Sequence, residues 1–227
     1  MAMTFLQLSQ RLRQEAGISG TGPTTVISQT GEAKKVIDWV LTAYEDIQNL
    51  HPTWDFLRTD LTFPTIAGNN TYVKTAISAD EYGKWINDSF RSYLTSTGVS
   101  SEQYMRWMDW VDFRDTYEFG SSRTIQGFPR YISQKPDTSL IVYPTPDASY
   151  TINGEYFKRA QTMAANTDVP IIPDKYHMII VWRALMFYSG QSNAPELYQV
   201  GQVEYKKLLR KLESSQLPPI RLAEPLV

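Results

Sequence analysis

The sequence has only two histidines, His51 and His177, and no cysteine. Thiolate metal sites, disulfides and cysteine nucleophiles are thereby excluded. Two imidazoles so far apart show no metal-ligand spacing. His51 precedes Pro52 and reads as a cap on a helix C-terminus, where a cation meets free carbonyls. The carboxylates are more suggestive. Asp109, Asp112 and Asp115 recur every three residues with Glu118 beyond, which on a helix would put them on one face, within reach of a divalent cation. No glycine-anchored loop accompanies them, so a solvated acidic edge opposite Trp107, Trp110, Val111 and Arg114 is the simpler reading. Asp60, Asp80 and Asp168 read as turn residues bonding their own backbone, and no opposed carboxylate pair suggests glycoside hydrolysis. Gly17, Gly20 and Gly22 lack the lysine and the preceding strand of a phosphate loop, and no Gly-x-Ser-x-Gly elbow occurs. The sequence nominates no catalytic residue, no metal site and no cofactor.

Two charged features remain. Lys206, Lys207, Arg210 and Lys211 form a basic stripe at helical spacing. It is either a solvated face shared with Glu204 and Glu213, or a surface for an acidic partner. Arg183 sits inside an otherwise apolar segment and needs an ion-pair partner or a wet groove.

The elements that would carry these residues follow from periodicity. Thr4 and Gln7 have capping-box spacing before a short helix with Phe5, Leu8 and Leu12 on one face. A Gly/Ser/Thr-rich loop follows. Ala33, Val36, Ile37, Val40, Leu41, Tyr44, Ile47 and Leu50 then mark a long helix, which His51-Pro52 ends. Strands are expected over residues 56–64 and 71–76, joined as a hairpin through Ala67-Gly68-Asn69-Asn70, then over 85–94, 130–133, 140–143 and 150–157. Ser100 and Gln103 again have capping-box spacing and suggest a helix over 100–117. Residues 173–189 read as a helix apolar on most sides, at the centre of a bundle. Asn193 reads as the cap of a last helix with Leu197, Gly201, Tyr205, Leu208 and Leu212 on one face.

The expected fold is α+β: a helical bundle from residues 1–54 and 160–215, with a β-rich lobe around one helix inserted at 55–159. Residues 216–227 read as an extended tail broken by proline. The tail carries Leu217, Pro218, Pro219, Ile220, Leu222 and Leu226, and apolar residues on such a segment fold back or await a partner. Together with Lys206, Lys207, Arg210 and Lys211 they are the candidate partner-binding residues. The formal net charge of −2 lacks the footprint of a nucleic-acid binder. The start has no secretory pattern, and the most apolar stretch, residues 176–188, is too short to span a bilayer. No membrane association is expected.

Several motifs resemble one family. Arg11-Leu12-Arg13-Gln14-Glu15-Ala16-Gly17, Gly20-Thr21-Gly22-Pro23 and Gln29-Thr30-Gly31-Glu32 lead into the long helix, which ends near Trp54-Asp55-Phe56-Leu57. An aromatic region follows at 107–117, then Gly127-Phe128-Pro129, Leu140-Ile141-Val142-Tyr143-Pro144 and Tyr156-Phe157-Lys158-Arg159. Asp168-Val169-Pro170-Ile171-Ile172-Pro173 opens the final helical region. Over nearly the whole chain this order resembles the head-to-tail adaptor proteins of tailed phages. The resemblance implies a non-enzymatic virion protein of the neck or tail, made in the host cytoplasm. It implies a ring, commonly of twelve copies, under the portal protein and around the DNA channel. Tail proteins (nozzle, fibre or tube) would bind the other side, with DNA passing unread. C-terminal segments of the family often dock on the portal, which favours a partner for the tail here. Another neck or tail component is the alternative, and a cell-wall-directed hydrolase a remoter one.

Overall fold

The structure, a computed structural model, describes residues 2–20 and 22–218. It divides into two compact units: residues up to Leu57 with those from Ala160 onward, and Arg58–Arg159 between them. The fold is α+β, as expected.

The first unit is a helical bundle. α1 (Phe5–Glu15) starts with the capping box read from the sequence: the Gln7 N–H donates to the Thr4 hydroxyl and the Thr4 N–H to the Gln7 side chain. α2 (Gly31–Asn49) buries Val36, Ile37, Val40, Tyr44 and Ile47 of the expected stripe and Ala43 beside them, while Ala33 and Leu41 are only partly covered and Leu50, just past the helix end, is exposed. A 3-10 turn at Asp174–Tyr176 precedes α4 (Met178–Ser192), which packs on α1, α2 and, after it, α5 (Pro195–Gln216). α4 is therefore the central helix, and its buried Ile179, Ile180, Val181, Ala184 and Leu185 explain why little of its surface is polar. Asn193 does not start α5. It ends α4 in the left-handed region (φ 52°), a conformation Asn tolerates, and Pro195 opens α5. At Gly201 an added Cβ would lie 3.2 Å from both the Trp182 carbonyl and Met186, so glycine lets α4 and α5 approach.

Polar side chains knit distant segments of this bundle. Buried Gln48 donates to the Gln161 carbonyl (2.9 Å) and accepts from the Gln161 N–H (2.8 Å). Tyr44 accepts from the Ile171 N–H, and Asn166 from the Val26 N–H. Tyr176 donates to the Lys211 carbonyl (3.1 Å) and lies 3.0 Å from the Ser215 hydroxyl, fixing the end of α5.

The second unit holds two sheets. β1 (Arg58–Pro64) pairs antiparallel with β9 (Tyr150–Lys158) along its whole length, from Arg58↔Phe157 to Pro64↔Thr151. On the other edge of β9 lie β3 (Tyr82–Trp85) and β4 (Arg91–Leu94) in tandem, with β5 (Gln103–Tyr104) beside β4. The single strand expected over 85–94 is thus two strands, interrupted where Ser89 bonds the Glu155 backbone. The second sheet runs β2 (Thr71–Tyr72), β8 (Leu140–Tyr143), β7 (Tyr131–Gln134), β6 (Arg106–Trp107). β1 and β2 belong to different sheets, so residues 67–70 form a crossover rather than the expected hairpin turn.

The helix expected over 100–117 is reduced to α3 (Trp110–Tyr117). Ser100 lies in a 3-10 turn, and Gln103 to Trp107 are claimed by strand partners at Arg91, Ser92, Tyr131 and Ile132. Both sheets feed one apolar cluster, with Leu61, Phe63, Trp85, Ile152 and Tyr156 from the first and Ile132, Leu140 and Val142 from the second. Phe90 stacks on Trp107 (5.6 Å between centroids) and meets Trp85 edge-on. Gly154 permits this, since a Cβ there would fall 2.6 Å from the Phe90 ring.

Candidate interaction surfaces

The chemically suggestive residues do not converge. Asp109 is the N-cap of α3, Asp112 lies in its first turn, and Asp115 pairs with Arg114 at 2.8 Å; all three are exposed. Among the described residues no three His, Asp or Glu side chains are placed to hold a metal ion. Asp60 lies in β1 rather than a turn. Asp168 does serve its own backbone: the Ala164 and Ala165 N–H groups donate to it and hold its carboxyl below the usual range. A polar hollow of about 390 Å³ in the second unit places Glu118 among Arg123, Lys135 and Gln126, a mixed set with no nucleophile beside a base.

The two histidines have separate structural roles. His51 lies 3.2 Å from Glu213 of α5 and edge-on to Trp54 at 4.9 Å, so it ties two segments instead of capping α2. His177 is 1% exposed. The Met3 N–H donates to its Nδ1 (2.9 Å), so the ring proton resides on Nε2, 2.8 Å from the Ile172 carbonyl it donates to. Burial outweighs that carbonyl and Asp174 and lowers the His177 pKa. Arg183 finds the ion pair its position demands, with Asp46 at 3.0 Å, and its guanidinium lies over the rings of Phe187 and Tyr205.

Two surfaces of the bundle stand out among the described residues. The first is the outer face of α5. Lys206, Lys207, Arg210 and Lys211 are all exposed there. Among the described residues Glu204 engages only Lys207 (3.2 Å), while Glu213 is turned to His51. Val200 and Val203, 51% and 62% exposed, lie within the same arc, so the face is basic with an apolar patch. At the end of this helix Leu217 is half-buried and Pro218 exposed. The other tail candidates, Pro219, Ile220, Leu222 and Leu226, lie outside the described residues.

The second surface is a groove of about 340 Å³ between the start of α2 and the end of α4. Trp39 and Tyr188 meet edge-to-face in it at 5.7 Å, Ser192 lines one side, and Glu32 and Lys35 stand on its rim. Sequence periodicity missed this groove. The usable signal was Trp39 itself, a large aromatic residue lying off the Val36–Val40 stripe.

Among the described residues no helix is long and apolar enough to cross a membrane. No curated protein matches the chain. The family model described as SU10 adaptor protein matches residues 3–222. A match across both units, from before α1 to beyond α5, leaves no part of the architecture unaccounted for: the chain belongs to the SU10 adaptor protein family, phage structural proteins that join head to tail.

Proposed function

We propose that copies of this chain, twelve in the arrangement common to such adaptors, form a ring beneath the portal protein. The ring links the portal to the tail and surrounds the channel through which DNA passes. The observation that carries this reading is the family match across residues 3–222. The near-neutral net charge supports it, because a conduit must let DNA slide rather than grip its phosphates. The protein works as a structural part of the virion neck and not as an enzyme. Its partner-binding residues are Lys206, Lys207, Arg210 and Lys211 with the tail residues Leu217, Pro218, Pro219, Ile220, Leu222 and Leu226.

Imaging of particles labelled at the C-terminus of the chain tests the placement, and density in the neck adjoining the portal is the expected result. The purified chain should be monomeric or weakly associating in light scattering at micromolar concentration and close into a ring only on the portal. Reversing the four basic charges to Glu should weaken capture by the portal at least about tenfold, mainly through a slower, less salt-sensitive association. Label in the tail tube, away from the portal, would favour another tail component instead.

A further inference from the structure

We propose that the Trp39–Tyr188 groove receives the Pro218-Pro219-Ile220 stretch of a second copy of this chain. The inference rests on the reading of the C-terminal segment as partner-binding and names one partner for it. Four observations meet here. The groove is lined by an edge-to-face tryptophan and tyrosine. Grooves of that make-up accept polyproline II segments, whose preset backbone loses little entropy on docking. Pro218-Pro219 is the only Pro-Pro pair in the sequence. It is followed by Ile220, then by Arg221 and Glu224, which can meet Glu32 and Lys35 on the groove rim. Those two rim charges have no ion-pair partner among the described residues.

Reach decides which copy supplies the segment. Gly201 lies against Trp182 and Met186 of α4, so the groove at Tyr188 and Ser192 is level with the first turns of α5. From there to Gln216 the helix climbs away by about 25 Å at 1.5 Å per residue. Residues 217–220, fully extended, return at most about 14 Å. The prolines therefore cannot enter their own groove, and a neighbour must provide them. Such a contact joins unlike surfaces, tail to groove, and a head-to-tail link of this kind generates a ring when its rotation closes.

The test is a dye-labelled synthetic peptide of residues 216–227, titrated with the full-length chain and read by fluorescence anisotropy. Saturable binding is expected. It should weaken at least tenfold with Ser192→Trp, which fills the groove from an exposed position, and with a peptide whose two prolines are alanine. Unchanged helical signal and melting temperature verify that Ser192→Trp folds. Glu32→Arg should weaken the contact and a peptide carrying Arg221→Glu should restore it. Binding insensitive to Ser192→Trp and to proline replacement overturns the proposal, as does the lack of saturable binding at millimolar peptide. The same peptide is offered to the purified portal ring. Binding to the portal and not to the chain overturns the groove while leaving the segment a partner-binding element; binding to neither removes both.

Discussion

The bundle and the lobe are stabilised by different means. In the bundle, side chains that are polar and buried reach across long stretches of sequence to satisfy backbone groups: Gln48 to Gln161, His177 to Met3, Tyr44 to Ile171. In the lobe, long-range order comes from strand pairing, and the interior is an aromatic stack of Tyr82, Trp85, Phe90, Trp107 and Tyr156. A helix satisfies its own backbone, so segments between helices must find partners one hydrogen bond at a time. A strand satisfies its backbone through its neighbours, which leaves the side chains free to pack. Errors should therefore cost packing energy in the lobe and unsatisfied polar groups in the bundle.

The largest effect is expected from Phe90→Ala. Emptying the space over Gly154 should cost about 3–5 kcal/mol in a denaturant titration. The helical signal of the bundle should survive conditions that unfold the lobe, and a single shared transition would break the distinction between the regions. Gln48→Leu keeps the volume but strips two bonds from Gln161. Its expected cost is about 1–3 kcal/mol, with faster amide exchange at Gln161 as the local signature. His177 sharpens the comparison through pH. Its folded pKa is below the unfolded value near 6.5, so the unfolded chain binds more protons as acid is added. Its contribution is complete above about pH 6.5 and falls as pH drops toward the lower folded value, with a slope of at most about 1.4 kcal/mol per pH unit. Stability measured between pH 7 and 5 should show this loss, and His177→Gln should flatten it. Smallest of all, joint replacement of Asp109, Asp112 and Asp115 by Asn should change stability by about 0.5 kcal/mol or less per site and leave particle assembly intact. Failed assembly with the fold retained would make the α3 edge a contact surface.

Local signals were readable wherever local chemistry decides the structure. Thr4 with Gln7 specified the start of α1, and the apolar stripe from Val36 to Ile47 specified α2, because caps and helical faces are written within a few residues. Ser100 with Gln103 has the same spacing as Thr4 with Gln7, yet no α-helix starts there, and α3 begins only at Trp110. There Met105 and Phe90 are drawn into the lobe core, and pairing with strands far along the chain overrides the local cap signal. The side chain of Asn193 suits an N-cap for α5, but its tolerance of left-handed geometry makes it the end of α4. The basic stripe was visible in the sequence. The groove was not, since it exists only where α2 and α4 lie side by side.

The full-length pairing of β1 with β9 has a consequence for synthesis. α1 and α2 leave the ribosome with their apolar faces uncovered, and α4, which covers them, follows only after the whole lobe has been made. At about 5–20 residues per second that interval is several seconds or more. The lobe's first and last strands lie side by side, Arg58 opposite Phe157. A lobe that folds on emergence thus brings its two chain ends together and converts a gap of about a hundred residues into a short tether. On the logarithmic law for loop closure, that shortening lowers the entropic cost of docking α4 on α2 by about 1–1.5 kcal/mol. The inserted lobe would then guide the assembly of the bundle it interrupts, and delaying its folding with slow codons placed before β9 should raise the aggregated fraction of nascent chains.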